Sequence, residues 1–91
     1  MDKNKIALSS LALDLKRVAL GYFRGSNSMA ERFFEEALRR KKEIDSRKVK
    51  PYLRNLLSNF EKIMFDHDQK KQAEDALMYS TLFQNASLAK K

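Results

Sequence analysis

Residues 76–89 read ALMYSTLFQNASLA, fourteen positions without a charge in a chain where 34% of residues are Asp, Glu, Lys or Arg. On a helix, Leu77, Met78, Tyr79, Leu82, Phe83, Leu88 and the alanines point in most directions. Such a segment is not a one-sided surface helix and needs neighbours on more than one side. The stretches before it supply them. At about 100° per residue, Leu8, Leu11, Leu15, Val18 and Tyr22 fall on one stripe with the 3-4-3-4 spacing of a bundle helix, predicting a helix over about 3–24. Ile6, Leu13 and Leu20 recur every seven residues on nearly the opposite side, among Ser10, Lys16 and Arg17, so this helix also has two apolar faces.

Gly25 marks the end of that helix, and Ser28 with Glu31 reads as a capping box opening a second one over about 29–44. Its inner side carries Ala30, Phe33, Phe34, Ala37, Leu38 and Ile44. Its outer side sets Glu35 four residues before Arg39 and Glu36 four before Arg40, a spacing that supports a helix by a few tenths of a kcal/mol per pair. Asp45 to Lys50 is a polar connection. Pro51 suits the first position of a third helix, over about 51–65, with Tyr52, Leu53, Leu56, Leu57, Phe60, Ile63 and Met64 on one face. Extending that stripe would turn His67, Lys71 and Glu74 inward, so a break is expected after Phe65. Asp66 and Gln69 then cap a fourth helix over about 67–89. The expected fold is all-α, an up-and-down bundle of three or four helices in a single domain spanning 1–91, with one long bent helix in place of the last two as the alternative.

Composition narrows the class further. Two glycines and one proline leave few turns, against a sheet architecture. The absence of cysteine removes disulfides and thiolate metal sites, which together with Asp14, Lys16 and Arg17 interrupting the early apolar run predicts a cytoplasmic protein without a secretory leader. No stretch reaches the ~20 uncharged residues of a membrane span.

Few residues suggest chemistry. His67, between Asp66 and Asp68, is the only histidine, and it has no cluster with which to bind metal or activate a nucleophile. Glu31, Glu35, Glu36 and Asp75 would resemble a carboxylate site if they were not interleaved with Arg32, Arg39 and Arg40. Gly21 and Gly25 form no phosphate loop. No catalytic, cofactor-binding or metal-ligating residue is assigned, and no cofactor or small-molecule substrate is expected.

The net charge of +7 concentrates between Arg39 and Lys50. Arg39, Arg40, Lys42, Arg47, Lys48 and Lys50 form a candidate anion or nucleic-acid patch, since clustered cations bind phosphates. The same cations also complement a helix C-terminus and keep a small protein in solution. A groove-reading helix-turn-helix is disfavoured because Glu31, Glu35 and Glu36 would face the phosphates. The two-sided helices point instead to a non-enzymatic interaction or adaptor module. Its interface is expected at Ile6, Leu13, Leu20, Met78, Leu82 and Phe83, and its partner is a second copy, as a homodimer, or another helical protein.

Overall fold

Helix α1, Lys3–Phe23, is the axis around which the rest is arranged, packing on one side against α2, Asn27–Lys42, and on the other against α4, Gln69–Leu88. A 3₁₀ turn, Ser46–Lys48, leads into the short helix α3, Pro51–Asn59, and a second 3₁₀ segment, Phe60–Phe65, follows it. This is a computed structural model describing residues 2–89. The architecture is an all-α, up-and-down bundle. Among the described residues no helix is long and apolar enough to cross a membrane.

The stripe Leu8, Leu11, Leu15, Val18 and Tyr22 is buried, as its spacing requires. Asp2 caps α1, its carboxylate accepting from the Asn4 amide at 2.8 Å. At the other end Gly25 takes the left-handed conformation at φ 72°, the Gly25 amide donates to the Tyr22 carbonyl and the Ser26 amide to that of Gly21. This pair of bonds is a Schellman turn, which any Cβ at Gly25 would strain. The turn ends on Ser26, and Ser26, not Ser28, caps α2 by accepting from the Met29 amide at 3.3 Å. Helix α2 therefore starts two residues earlier than the capping-box reading places it.

Ala30, Phe34 and Ala37 are the buried line of α2. Phe33 is half-buried beneath the guanidinium groups of Arg17 and Arg32, 5.3 and 5.9 Å from its ring centre. The expected i,i+4 pairs are not made. Arg39 instead meets Glu36 at 2.9 Å, one turn at i,i+3, and Arg40 reaches Glu43 at 3.4 Å.

In α3 and the segment after it, Leu53, Leu57, Phe60 and Ile63 face inward. Tyr52 is turned about 100° from Leu53 and sits at the rim, 57% exposed, outside the core where its stripe suggested it. The change to 3₁₀ winding at Phe60 sets Phe60 and Ile63 one above the other, because that helix repeats every three residues. Phe60 is the hub of the core, edge-on to Phe34 at 6.0 Å and to Phe83 at 5.8 Å. The chain breaks after Phe65 as expected, but Asp68, not Asp66, caps α4, accepting from the amides of Lys70 and Lys71. Asp66 accepts from the Asp68 amide within the turn, so the helix opens at Gln69, two residues later than its expected start.

Small residues Ala73, Ala76, Ser80 and Ser87 line the buried side of α4, allowing a close fit to α1. The Ser80 hydroxyl donates to the Ala12 carbonyl at 2.6 Å. Leu8 shares a cleft with Ala86, and Tyr22 shares one with Gln72. Early residues of α1 thus meet late residues of α4, and the two helices are antiparallel.

Candidate interaction surfaces

With its inner side filled by α2, α4 and the aromatic core, α1 still presents Ile6, Leu13 and Leu20, which are 48, 47 and 38% exposed. Seven residues is close to two turns, so the three form one line along the side of α1 opposite the core. Leu13 does not stand alone. It lines a groove of about 450 Å³ between α1 and α4 together with Lys16, Leu77, Thr81 and Gln84. Leu77, 41% exposed, also lines a neighbouring hollow with Glu74, Met78 and Leu82. Leu13 and Leu77 are the large apolar members of a groove otherwise lined mainly by polar side chains, Ser9, Ser10, Ser80 and Asn85 among them, and on the outer side of α4 beyond it Met78 and Leu82 are 49 and 37% exposed.

Phe83 does not belong to this surface. It is fully buried, edge-on to Phe60 and stacked on Tyr79 at 6.1 Å. The uncharged run around it hides that α4 has a distinct inner arc, Ala73, Ala76, Ser80, Phe83 and Ser87, which phase places together. Leu77 is the member that residue pattern on one helix does not reveal, because its meeting with Leu13 depends on the register between α1 and α4. Phe23, Phe65 and Leu88 are also more than half exposed, at the ends of their elements.

The basic segment is divided by its own carboxylates. Arg39 is held by Glu36 and Arg40 by Glu43, while the Arg47 guanidinium pairs with Asp45 at 3.1 Å. Hydrogen bonds from the Arg47 side chain and amide hold the Asp45 carboxyl below its usual range. Lys42, Lys48 and Lys50 form no ion pair among the described residues. They do not lie together. Lys42 lines a cleft of about 530 Å³ between α2 and α3 with Lys41 and Arg54, whereas Lys48 and Lys50 line another with Lys5 and Tyr52.

Two polar groups sit inside the α1 seams. Asn4 is 7% exposed and bonds both backbone groups of Asp45: the Asp45 amide donates to its Oδ1 at 2.9 Å and its Nδ2 donates to the Asp45 carbonyl at 3.1 Å. Asp14 faces Arg40 at 3.8 Å, too far for a hydrogen bond, and Asp14 Oδ2 and Arg40 Nε are both buried without one. Loss of solvent pushes the Asp14 carboxyl above its ordinary range, against the opposing pull of Arg40 and Arg17 and with help from Glu36.

His67 lies exposed in the break before α4. Among the described residues no three His, Asp or Glu side chains converge as a metal site requires. Compared with known proteins, the chain matches no family model, no curated protein and no solved structure.

Proposed function

We propose that this protein is a non-enzymatic helical interaction module that associates with itself through the outer side of α1 and the adjoining side of α4. The observation that carries this reading is that Ile6, Leu13 and Leu20 on α1 and Leu77, Met78 and Leu82 on α4 are all between 37 and 49% exposed on adjoining helices, with Leu13 and Leu77 lining one groove between them. Removing the exposed half of each such side chain from water is worth on the order of 1 kcal/mol. Six of them make a sizeable term for a chain of 91 residues. Light scattering coupled to size exclusion tests it: the wild-type chain is expected to change from monomer to dimer mass with concentration, and Leu13→Glu to remain a monomer. A wild-type chain that is monomeric at every concentration removes the proposal.

A second reading, phosphate contact by the basic segment, is supported by Lys42, Lys48 and Lys50, whose ammonium groups have no carboxylate partner among the described residues. It is weakened by the pairing of Arg39, Arg40 and Arg47 and by the separation of the three lysines into two clefts. Reversing Lys42, Lys48 and Lys50 to Glu leaves the internal pairs intact. On this reading it abolishes binding of a single-stranded oligonucleotide that weakens with salt, with a log–log slope of about −2 for three contacts. Binding that persists in that variant counts against the basic segment.

A further inference from the structure

The geometry points to one arrangement of the second copy: α1 of one subunit lies on α4 of the other, reciprocally, about a twofold axis that runs along the α1–α4 groove parallel to the helices. This rests on the self-association proposed above and specifies which helices meet. Two twofold arrangements bring the apolar surface together. An axis across the helices stacks α1 on its own copy, with Leu13 at the centre and Ile6 opposite Leu20 of the partner subunit. An axis along the groove exchanges the helices, so that each α1 faces the partner's α4.

Charge separates them. Within α1 the only acid, Asp14, is buried, while Lys16 and Arg17 beside Leu13 are exposed; stacked α1 on α1, they lie level with Ser10 and Ser9 of the partner subunit and find no acid to pair with. The outer side of α4 offers the opposite sign beside the apolar surface: Glu74 is exposed and lines the same hollow as Met78 and Leu82. The nearby Lys71 is already paired with Asp66 at 3.5 Å, and Lys70 lies one turn before Glu74, at the start of the helix.

Register agrees with charge. The Ser80–Ala12 bond fixes the level at which the antiparallel helices pass. Counting from it one for one, Leu13 is level with Tyr79, Lys16 with Ala76 and Ile6 with Ala86. An axis parallel to the helices keeps each residue at its level. Leu13 of the partner subunit then falls beside Leu77 and Met78, and Lys16 of the partner subunit comes within one turn of Glu74. Leu13 of each subunit thus meets the Leu77 and Met78 surface of the other, twice per dimer, while Ile6 and Leu20, level with Ala86 and Gln72, flank that contact at its two ends.

The chain has no cysteine, which makes site-directed cross-linking clean. Leu13→Cys and Met78→Cys are prepared as separate chains, one carrying a mass tag, mixed at a concentration where the wild type is dimeric, and joined with a short bismaleimide. Both positions are about half exposed, so the fold tolerates the change. The expected product is the mixed-mass Leu13–Met78 dimer. In parallel, Lys16→Glu and Glu74→Lys are each expected to weaken dimerisation about fivefold, and their equimolar mixture to recover it, because both contacts in that mixed dimer pair opposite charges. A dimer that cross-links Leu13 to Leu13, or whose charge variants fail to complement, overturns this arrangement and leaves self-association standing. A chain with no dimer at any concentration overturns both.

Discussion

The inner and outer faces of α1 are built from similar residues, but only the inner one is covered by the rest of the chain. On the inner face Leu11, Leu15 and Val18 are fully buried, Asn4 and Gly21 tie α1 to the rest of the chain through Asp45 and Ala30, and Asp14 is buried beside Arg40 without a hydrogen bond to it. On the outer face Ile6, Leu13 and Leu20 touch no comparable set. A leucine is thus no guide to its own role on this helix; what decides is whether the opposing element has matching shape and polar groups. Substitutions on the inner face are therefore expected to change folding stability and those on the outer face to change association.

Gly21→Ala tests the inner face most severely. A Cβ there would lie 2.7 Å from the Ala30 nitrogen and 3.1 Å from its Cβ, so α1 and α2 must move apart. Alanine gains up to about 1 kcal/mol in helix propensity over glycine, but separating the backbones loosens the packing of both helices. A net loss of about 1–3 kcal/mol is expected, seen as a lower urea midpoint at unchanged slope. An unchanged midpoint would show that this close approach contributes nothing.

Asn4→Ala comes next. It leaves the amide and carbonyl of Asp45 without their side-chain partner where α1 meets the turn after α2. A loss of about 1–2 kcal/mol is expected by chemical denaturation. If Asn4→Ala matches the wild type, water satisfies Asp45 equally well.

Much of the inner face was legible before any coordinates. The spacing of Leu8, Leu11, Leu15, Val18 and Tyr22 depends only on helix geometry, as do the buried positions of Ala30, Phe34 and Ala37. The break after Phe65 was legible because phase set charged residues against a core. What escaped depends on pairs of elements. Gly21 reads as an ordinary helix residue until Ala30 is placed against it. Asn4 reads as a surface polar residue until the chain returns at Asp45. Phe83 reads as part of the exposed row because an uncharged run gives no polar side from which to take the phase, and Ser28 reads as the cap in place of Ser26 because the turn before α2 is tighter than a capping-box count allows.

Asp14→Asn is expected to have a smaller effect, of opposite sign. Because burial raises the carboxyl's pKa in the folded chain, the folded state holds the proton more tightly than the unfolded state. Stability from this group is full at low pH and declines as pH rises between the ordinary and the raised pKa, so above the raised pKa the ionised carboxylate is a cost. The groups around it are Arg40, Arg17 and Glu36, and Arg40 retains Glu43 when Asp14 is replaced. Asparagine removes the buried charge and still offers an acceptor to Arg40. We expect Asp14→Asn to equal or exceed the wild type at pH 7 by up to about 1 kcal/mol, and to lose the decline that the wild type shows as pH rises from the ordinary carboxylate range to the raised pKa. A variant clearly less stable at pH 7 would show that the long Asp14–Arg40 contact is net favourable.

Leu13→Ser should have the smallest effect on folding and so gives the sharpest contrast with Gly21→Ala. Leu13 is already 47% exposed, and its loss removes little that the monomer buries. At dilution its unfolding free energy is expected to stay within about 0.5 kcal/mol of the wild type, as for surface substitutions generally. The difference should appear with concentration. A protein that binds its own copy when folded has a melting temperature that rises with concentration, because association draws on the folded state alone. The wild type is expected to show that rise and Leu13→Ser to lack it, so the two melting curves coincide when dilute and separate when concentrated. If they already differ when dilute, Leu13 contributes to the monomer's own packing, and the division of α1 into a folding face and an association face fails at its central residue.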